Sequence, residues 1–202
     1  MEEVIQSLTS GAREISKPRN TSYLRLTKTR GECMAFLQRW GASRQLELTA
    51  DPTWCCMGGT PTLTQVSNVY GNRLSVNWLI SMLTDFQNVV GIKEDNKLDI
   101  NALAEISEML YNKYKHLKLA EFMLFFQRMK LGDYGKIYGS IDFAYIARAL
   151  RQFCEDRAVI IDRELQRRRE EEYRESLARS VSREEYERMV ADGWKPKGED
   201  GL

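Results

Sequence analysis

One histidine, four prolines and four cysteines occur among the 202 residues. That scarcity excludes several classes at once. A lone imidazole, His116, in a Lys-rich joint (Lys113, Lys115, Lys118) offers no partner for a catalytic pair and reads as a surface residue. Cys33, Cys55, Cys56 and Cys154 contain no CxxC pair, and adjacent Cys55 and Cys56 bond to each other only under strain, so neither a zinc site nor a disulfide framework is expected. No apolar run approaches the roughly 20 residues that cross a bilayer. The opening Met1-Glu2-Glu3-Val4 carries acids where a secretory leader carries bases, so no membrane association and a cytoplasmic location are expected. Charge of one sign is also missing: 30 Lys and Arg balance 29 Asp and Glu. No nucleophile elbow, HExxH or Walker A pattern is present, and no dinucleotide fingerprint follows a strand. A non-enzyme without metal or cofactor is the reading that follows.

The residues that are present describe helices. Hydrophobic residues make up 43% of the chain, an ordinary share for a globular protein. Near-neutrality hides blocks: residues 1–60 carry a net +2, residues 61–112 a net −3, residues 113–151 a net +5 and residues 152–202 a net −3. Lys17, Arg19, Arg25, Lys28 and Arg30 form a basic stretch without an acid.

Periodicity is weak up to residue 60. Val4, Ile5 and Leu8 suit a short helix that ends at Gly11, and Cys33, Phe36, Leu37 and Trp40 suit one from Arg30 to Trp40. Lys17-Pro18-Arg19-Asn20 and Trp54-Cys55-Cys56-Met57-Gly58-Gly59 look like loops. Leu24-Arg25-Leu26-Thr27 and Gln45-Leu46-Glu47-Leu48-Thr49 alternate as strands do, enough for at most a small hairpin.

Beyond residue 60 the signals sharpen. Thr62 with Gln65 three residues on is a capping box, and Gly71 closes that helix. From Arg73 to Val90 the chain is apolar on most sides, which places that helix in the middle of a bundle. Asp99 opens a helix with Leu103, Ile106, Leu110 and Tyr114 inward. Leu119, Phe122, Met123, Phe126 and Met129 share a face of the next, which stops at Gly132. Asp142 caps the last core helix, with Tyr145, Ile146, Ala149, Leu150 and Phe153 inward. No Gly or Pro follows until Gly193, and Glu164–Arg168, Glu170–Arg174 and Glu175–Arg179 are acid-to-base pairs four apart. Ile160, Ile161, Leu165, Tyr173 and Leu177 hold no sustained heptad, so a solvated extension is expected rather than a coiled coil. Ser182 with Glu185 caps a short terminal helix bearing Tyr186, Met189 and Val190. The expectation is a mainly α fold: a compact bundle of about five helices with a long charged C-terminal helix and a short terminal one. It divides into an N-terminal arm over 1–60, a helical core over 61–157 and a charged extension with a loose tail over 158–202.

One segment carries chemical information: Phe125-Phe126-Gln127-Arg128-Met129-Lys130-Leu131-Gly132-Asp133-Tyr134-Gly135-Lys136-Ile137-Tyr138-Gly139-Ser140-Ile141-Asp142. Its glycines permit positive φ and close backbone approach. As a binding loop it would offer Arg128, Lys130, Lys136 and Arg151 to phosphates, the backbone of Gly135 and Gly139 to close contact, and Tyr134 and Tyr138 to stack on bases. As a packing loop its tyrosines would plug the gap between two helices, and Asp142 would occupy the helix N-terminus an anion would need. Asp133 and Asp142 flank the loop and could hold Mg²⁺, but a turn and a cap explain them more simply.

Pro61-Thr62-Leu63, Tyr70-Gly71, Asn77-Trp78-Leu79, Leu117-Lys118-Leu119-Ala120-Glu121, the Gly-Tyr segment and Ala149-Leu150-Arg151 together resemble an uncharacterised family of small proteins from mobile elements and prophages of gut bacteria. The resemblance covers Pro61 to Arg157, with variable flanks. The layout is loosely similar to phage helicase-loader and replisome-organiser domains, an analogy of architecture only. The resemblance implies an accessory protein that binds nucleic acid or a replication protein such as a helicase. The alternative is a protein–protein adaptor that uses the charged C-terminal helix, with the Gly-Tyr loop purely structural.

Overall fold

The computed structural model describes residues 29–135, 137, 139 and 141–194. The expected first helix, the basic stretch as far as Lys28, the loop at Lys17 and the alternating Leu24–Thr27 lie outside them, as do Lys136 and Tyr138. The described chain is mainly helical, without a strand. In chain order the α-helices are α1 (Arg30–Arg39), α2 (Gln45–Leu48), α3 (Pro52–Met57), α4 (Leu63–Tyr70), α5 (Asn72–Val89), α6 (Ile100–Tyr114), α7 (Leu119–Leu131), α8 (Phe143–Arg179) and α9 (Arg183–Ala191). None is long and apolar enough to cross a membrane.

The stop and start signals in the sequence set most boundaries. Thr62 accepts from the Gln65 N–H while the Gln65 side chain accepts from the Thr62 N–H, closing the capping box. Asp99 and Asp142 cap α6 and α8 by accepting the N–H groups of Ala102 and Tyr145. Gly132 ends α7 in the left-handed conformation at φ 84°, where an L side chain is strained.

Two segments depart from expectation. Gln45–Leu48 alternates like a strand but forms α2, since its neighbour in space is a helix. The Gln45 amide donates to the Met123 carbonyl at 2.6 Å, and Thr49 Oγ1 donates back to the Gln45 carbonyl. The Trp54–Gly59 loop is instead largely α3, opened by Asp51 as cap and Pro52 in the first turn. Cys55 and Cys56 lie inward there, 0% and 2% exposed, and join the same core as Phe36 and Trp40 of α1.

The helix buried on every side is α7, not the helix after Arg73. Leu119 through Phe126 are all buried, whereas Asn77, Ser81, Thr84 and Asn88 give α5 a solvent face. α5 packs on α4, α6 and α7, while α3 packs on α7 and α8. The joint before α7 is fastened to the start of α4: the Leu119 N–H donates to the Pro61 carbonyl at 2.9 Å and the Leu63 N–H to the Leu117 carbonyl at 3.1 Å. The inward residues of α8 are Tyr145, Ile146, Ala149, Leu150 and Phe153, as its spacing requires.

Candidate interaction surfaces

Of the described residues of the Gly-Tyr segment, Phe125, Phe126, Met129, Tyr134 and Ile141 are buried, while Leu131, Gly132, Asp133, Gly135, Gly139 and Asp142 are exposed. The Lys130 ammonium, 14% exposed, is paired with the Asp85 carboxylate and also donates to Gln45 Oε1, tying α7 to α5 and α2. Arg128 donates to Asp156 Oδ2 at 3.3 Å, tying α7 to α8. Tyr134 is buried against Phe125, with ring centroids 6.0 Å apart. Burial pushes its phenol up to about 12, and the nearby Arg128 guanidinium opposes that shift. Its hydroxyl finds no hydrogen-bond partner among the described residues. The Tyr145 hydroxyl donates to the Gly135 carbonyl at 3.2 Å. Gly135 and Gly139 are exposed and adopt φ 100° and 77°, so both turns need glycine. Arg151 is exposed on α8 and has no ionic partner among the described residues. Arg128 and Lys130 therefore hold acids of this chain.

A second polar cluster lies at the start of α7. Glu121 is fully buried in the apolar run of α7, where one carboxylate oxygen accepts from the Lys118 N–H at 2.7 Å and the other is paired with the Arg157 guanidinium. The Lys118 ammonium donates to the carbonyls of Cys56 and Gly58 at 2.7 and 2.8 Å. The cluster clasps α3, α7 and α8 together. An acid amid Leu119–Phe126 was its sequence signal, because a buried charge needs a partner. Burial also pushes the Cys55 and Cys56 thiols up, to about 12 and about 11. Among the described residues no three His, Cys, Asp or Glu side chains gather as a metal site. His116 is exposed, and Asp142 is occupied as a cap.

Beyond the clasp, α8 leaves the core. Ile160 and Ile161 still touch it, and Glu164, Arg167 and Arg168 line a shallow groove of about 390 Å³ with Asp51, Trp54 and Met57. Arg167 and Arg168 both donate to Glu164, holding its carboxyl down at about 2. From Leu165 to Arg188 every residue is exposed. Of the three expected pairs, Glu164–Arg168 and Glu175–Arg179 form and Glu170–Arg174 does not, while Arg167 also pairs with Glu171. Ser182 and Glu185 complete their capping box, and Tyr186 meets Trp194 edge to face at 5.9 Å.

Residues 97–191 match the model of a family of unknown function, DUF6633. The match spans 95 of 202 residues, just under half of the chain. It begins later than the resemblance at Pro61 and runs well past Arg157, so α8 and nearly all of the terminal helical segment fall within it. It carries no indication of a mobile element. No curated protein and no solved structure matches the chain.

Proposed function

We propose that the protein is a non-enzymatic adaptor: a helical core that carries a projecting arm, from about Asp162 to Trp194, on which a partner protein docks. One observation supports this reading most directly. Tyr173, Leu177, Val181, Tyr186, Val190 and Trp194 are all at least 44% exposed within one continuous stretch. Single exposed apolar residues are ordinary on a monomer, but a concentrated series on an otherwise charged segment is what an interaction surface looks like. The partner that suits it is an amphipathic helix with charges of both signs beside its apolar stripe. The Gly-Tyr segment then serves the fold: Lys130, Arg128 and Tyr134 join α7 to its neighbours.

The test is removal of residues 180–202, which leaves the core and the Glu121–Arg157 clasp intact. The shortened chain should keep its cooperative unfolding and lose every partner that the full chain captures from its native cell extract. Retention of those partners would overturn the reading. A second reading, binding of nucleic acid, is favoured by Arg148 and Arg151, both exposed on α8. It predicts DNA affinity that falls steeply with salt and is lost in the Arg148→Ala, Arg151→Ala double variant.

A further inference from the structure

We infer that the distal half of α8 pairs with the same helix of a second copy, antiparallel, about a twofold axis at Arg169. The inference rests on the arm being an interaction surface and names an occupant for its first part.

Ile161, Leu165, Arg169, Tyr173 and Leu177 recur every four residues and so form one ridge along the helix. Spacing longer than 3.6 makes the ridge drift around the axis, and a pair that follows it winds right-handed. A twofold axis at Arg169 lays Ile161 against Leu177 of the second copy and Leu165 against its Tyr173. Each apolar position meets an apolar position. Leu165, Tyr173 and Leu177 are 39%, 64% and 52% exposed in the single chain.

The charges favour the same register. Arg167, Arg168 and Arg169 are followed at once by Glu170, Glu171 and Glu172. A parallel pair sets each run against itself, like against like. The antiparallel pair lays the basic run of one copy along the acidic run of the other. On the flanks of the ridge it brings Asp162 beside Arg174 of the second copy, and Arg168 beside the second Glu172. Opposite charges at flanking positions set orientation and partner choice in paired helices. The two Arg169 side chains meet on the axis, a polar break in the seam that weakens the pair while fixing its register. The core holds α8 as far as Ile161, which is half-buried against it and opens the paired segment, so the two cores lie at opposite ends.

The experiment uses the pure full-length chain. Sedimentation equilibrium should show a monomer–dimer equilibrium. Tyr173→Glu should raise its dissociation constant at least about tenfold, and Arg169→Leu should lower it about tenfold, each near 1.4 kcal/mol. Arg174→Asp should weaken the dimer and Asp162→Arg added to it should restore it, a rescue that loss of folding cannot imitate. Under mild oxidation Arg169→Cys should cross-link two chains. Leu177→Cys should not, because its two copies lie about 24 Å apart along an antiparallel pair. A monomer at about 100 µM, a dimer indifferent to Tyr173→Glu, or efficient cross-linking at Leu177→Cys would each overturn the inference. Partner capture by the chain lacking 180–202 is read separately, so failure of self-pairing and failure of the adaptor reading are told apart.

Discussion

The two halves of α8 are one unbroken helix under two different rules. From Tyr145 to Phe153 its inward residues repeat with the helical period and are nine-tenths or more buried. From Leu165 to Arg179 nothing is buried, and charged pairs three and four residues apart accompany the backbone instead. Burial of a large apolar side chain contributes about 1.5–3 kcal/mol. An exposed pair on a helix contributes about 0.3–0.5 kcal/mol. The first half is therefore held by the fold, while the second keeps its helix through local pairs and leaves its apolar residues exposed. Arg157 marks the change, since it is the last α8 side chain to satisfy a buried group of the core.

Breaking the proximal half should be the costliest change. Phe153→Ala, at a fully buried site, should destabilise the protein by about 3–5 kcal/mol. Leu177→Ala should stay within about 0.5 kcal/mol when urea unfolding is measured at a concentration where the chain is monomeric. Arg157→Ala strands the Glu121 carboxylate in the core and should cost about 3–5 kcal/mol. Adding Glu121→Leu should recover most of that loss in a double-mutant cycle. Lys130→Ala removes the partner of Asp85 and should cost about 1–3 kcal/mol. If Lys130 instead served nucleic acid, stability would be unchanged and DNA affinity would fall.

The smallest effect is set by pH. The Cys55 and Cys56 thiols are pushed to about 12 and about 11 by burial, above the ordinary thiol value. Their folded pKa values are raised, so the fold favours the neutral form. That contribution is complete below about pH 8.5 and is lost as pH climbs through the folded values. Alkylation at pH 8 should therefore spare both thiols until the protein unfolds. Glu164 behaves oppositely, its carboxyl held near 2 by Arg167 and Arg168. Its share of arm helicity is present above the ordinary carboxyl value and lost as pH falls through the folded one, which far-ultraviolet circular dichroism of the arm as a peptide would follow.

The same contrast explains what was legible in the sequence. Caps and stops are local: Thr62 with Gln65, Asp99, Gly132, Asp142, and Ser182 with Glu185 all stand where chain spacing placed them. The inward face of proximal α8 followed from its period alone. What failed depends on contacts distant in sequence. Gln45–Leu48 alternates like a strand, but α7 lies beside it and its helical form lets Gln45 reach Met123. Trp54–Gly59 reads as a loop for its glycines, but Cys55 and Cys56 of α3 are buried in the core beside Phe36 and Trp40. Residues 113–151 are basic in sum, yet Lys130 and Arg128 are paired with Asp85 and Asp156, acids from other blocks of the chain. A net charge summed along sequence cannot show which charges meet in space.

If α8 serves the fold up to about Arg157 and another molecule beyond it, its distal half is dispensable for stability. The most direct measurement compares the full chain with one ending at Arg168, by thermal unfolding at low concentration and by sedimentation. The shortened chain should show a cooperative transition within a few degrees of the parent, because the clasp and every buried residue remain, together with loss of self-association. A broad or much lower transition in the shortened chain would contradict it, by showing that the distal helix belongs to the fold.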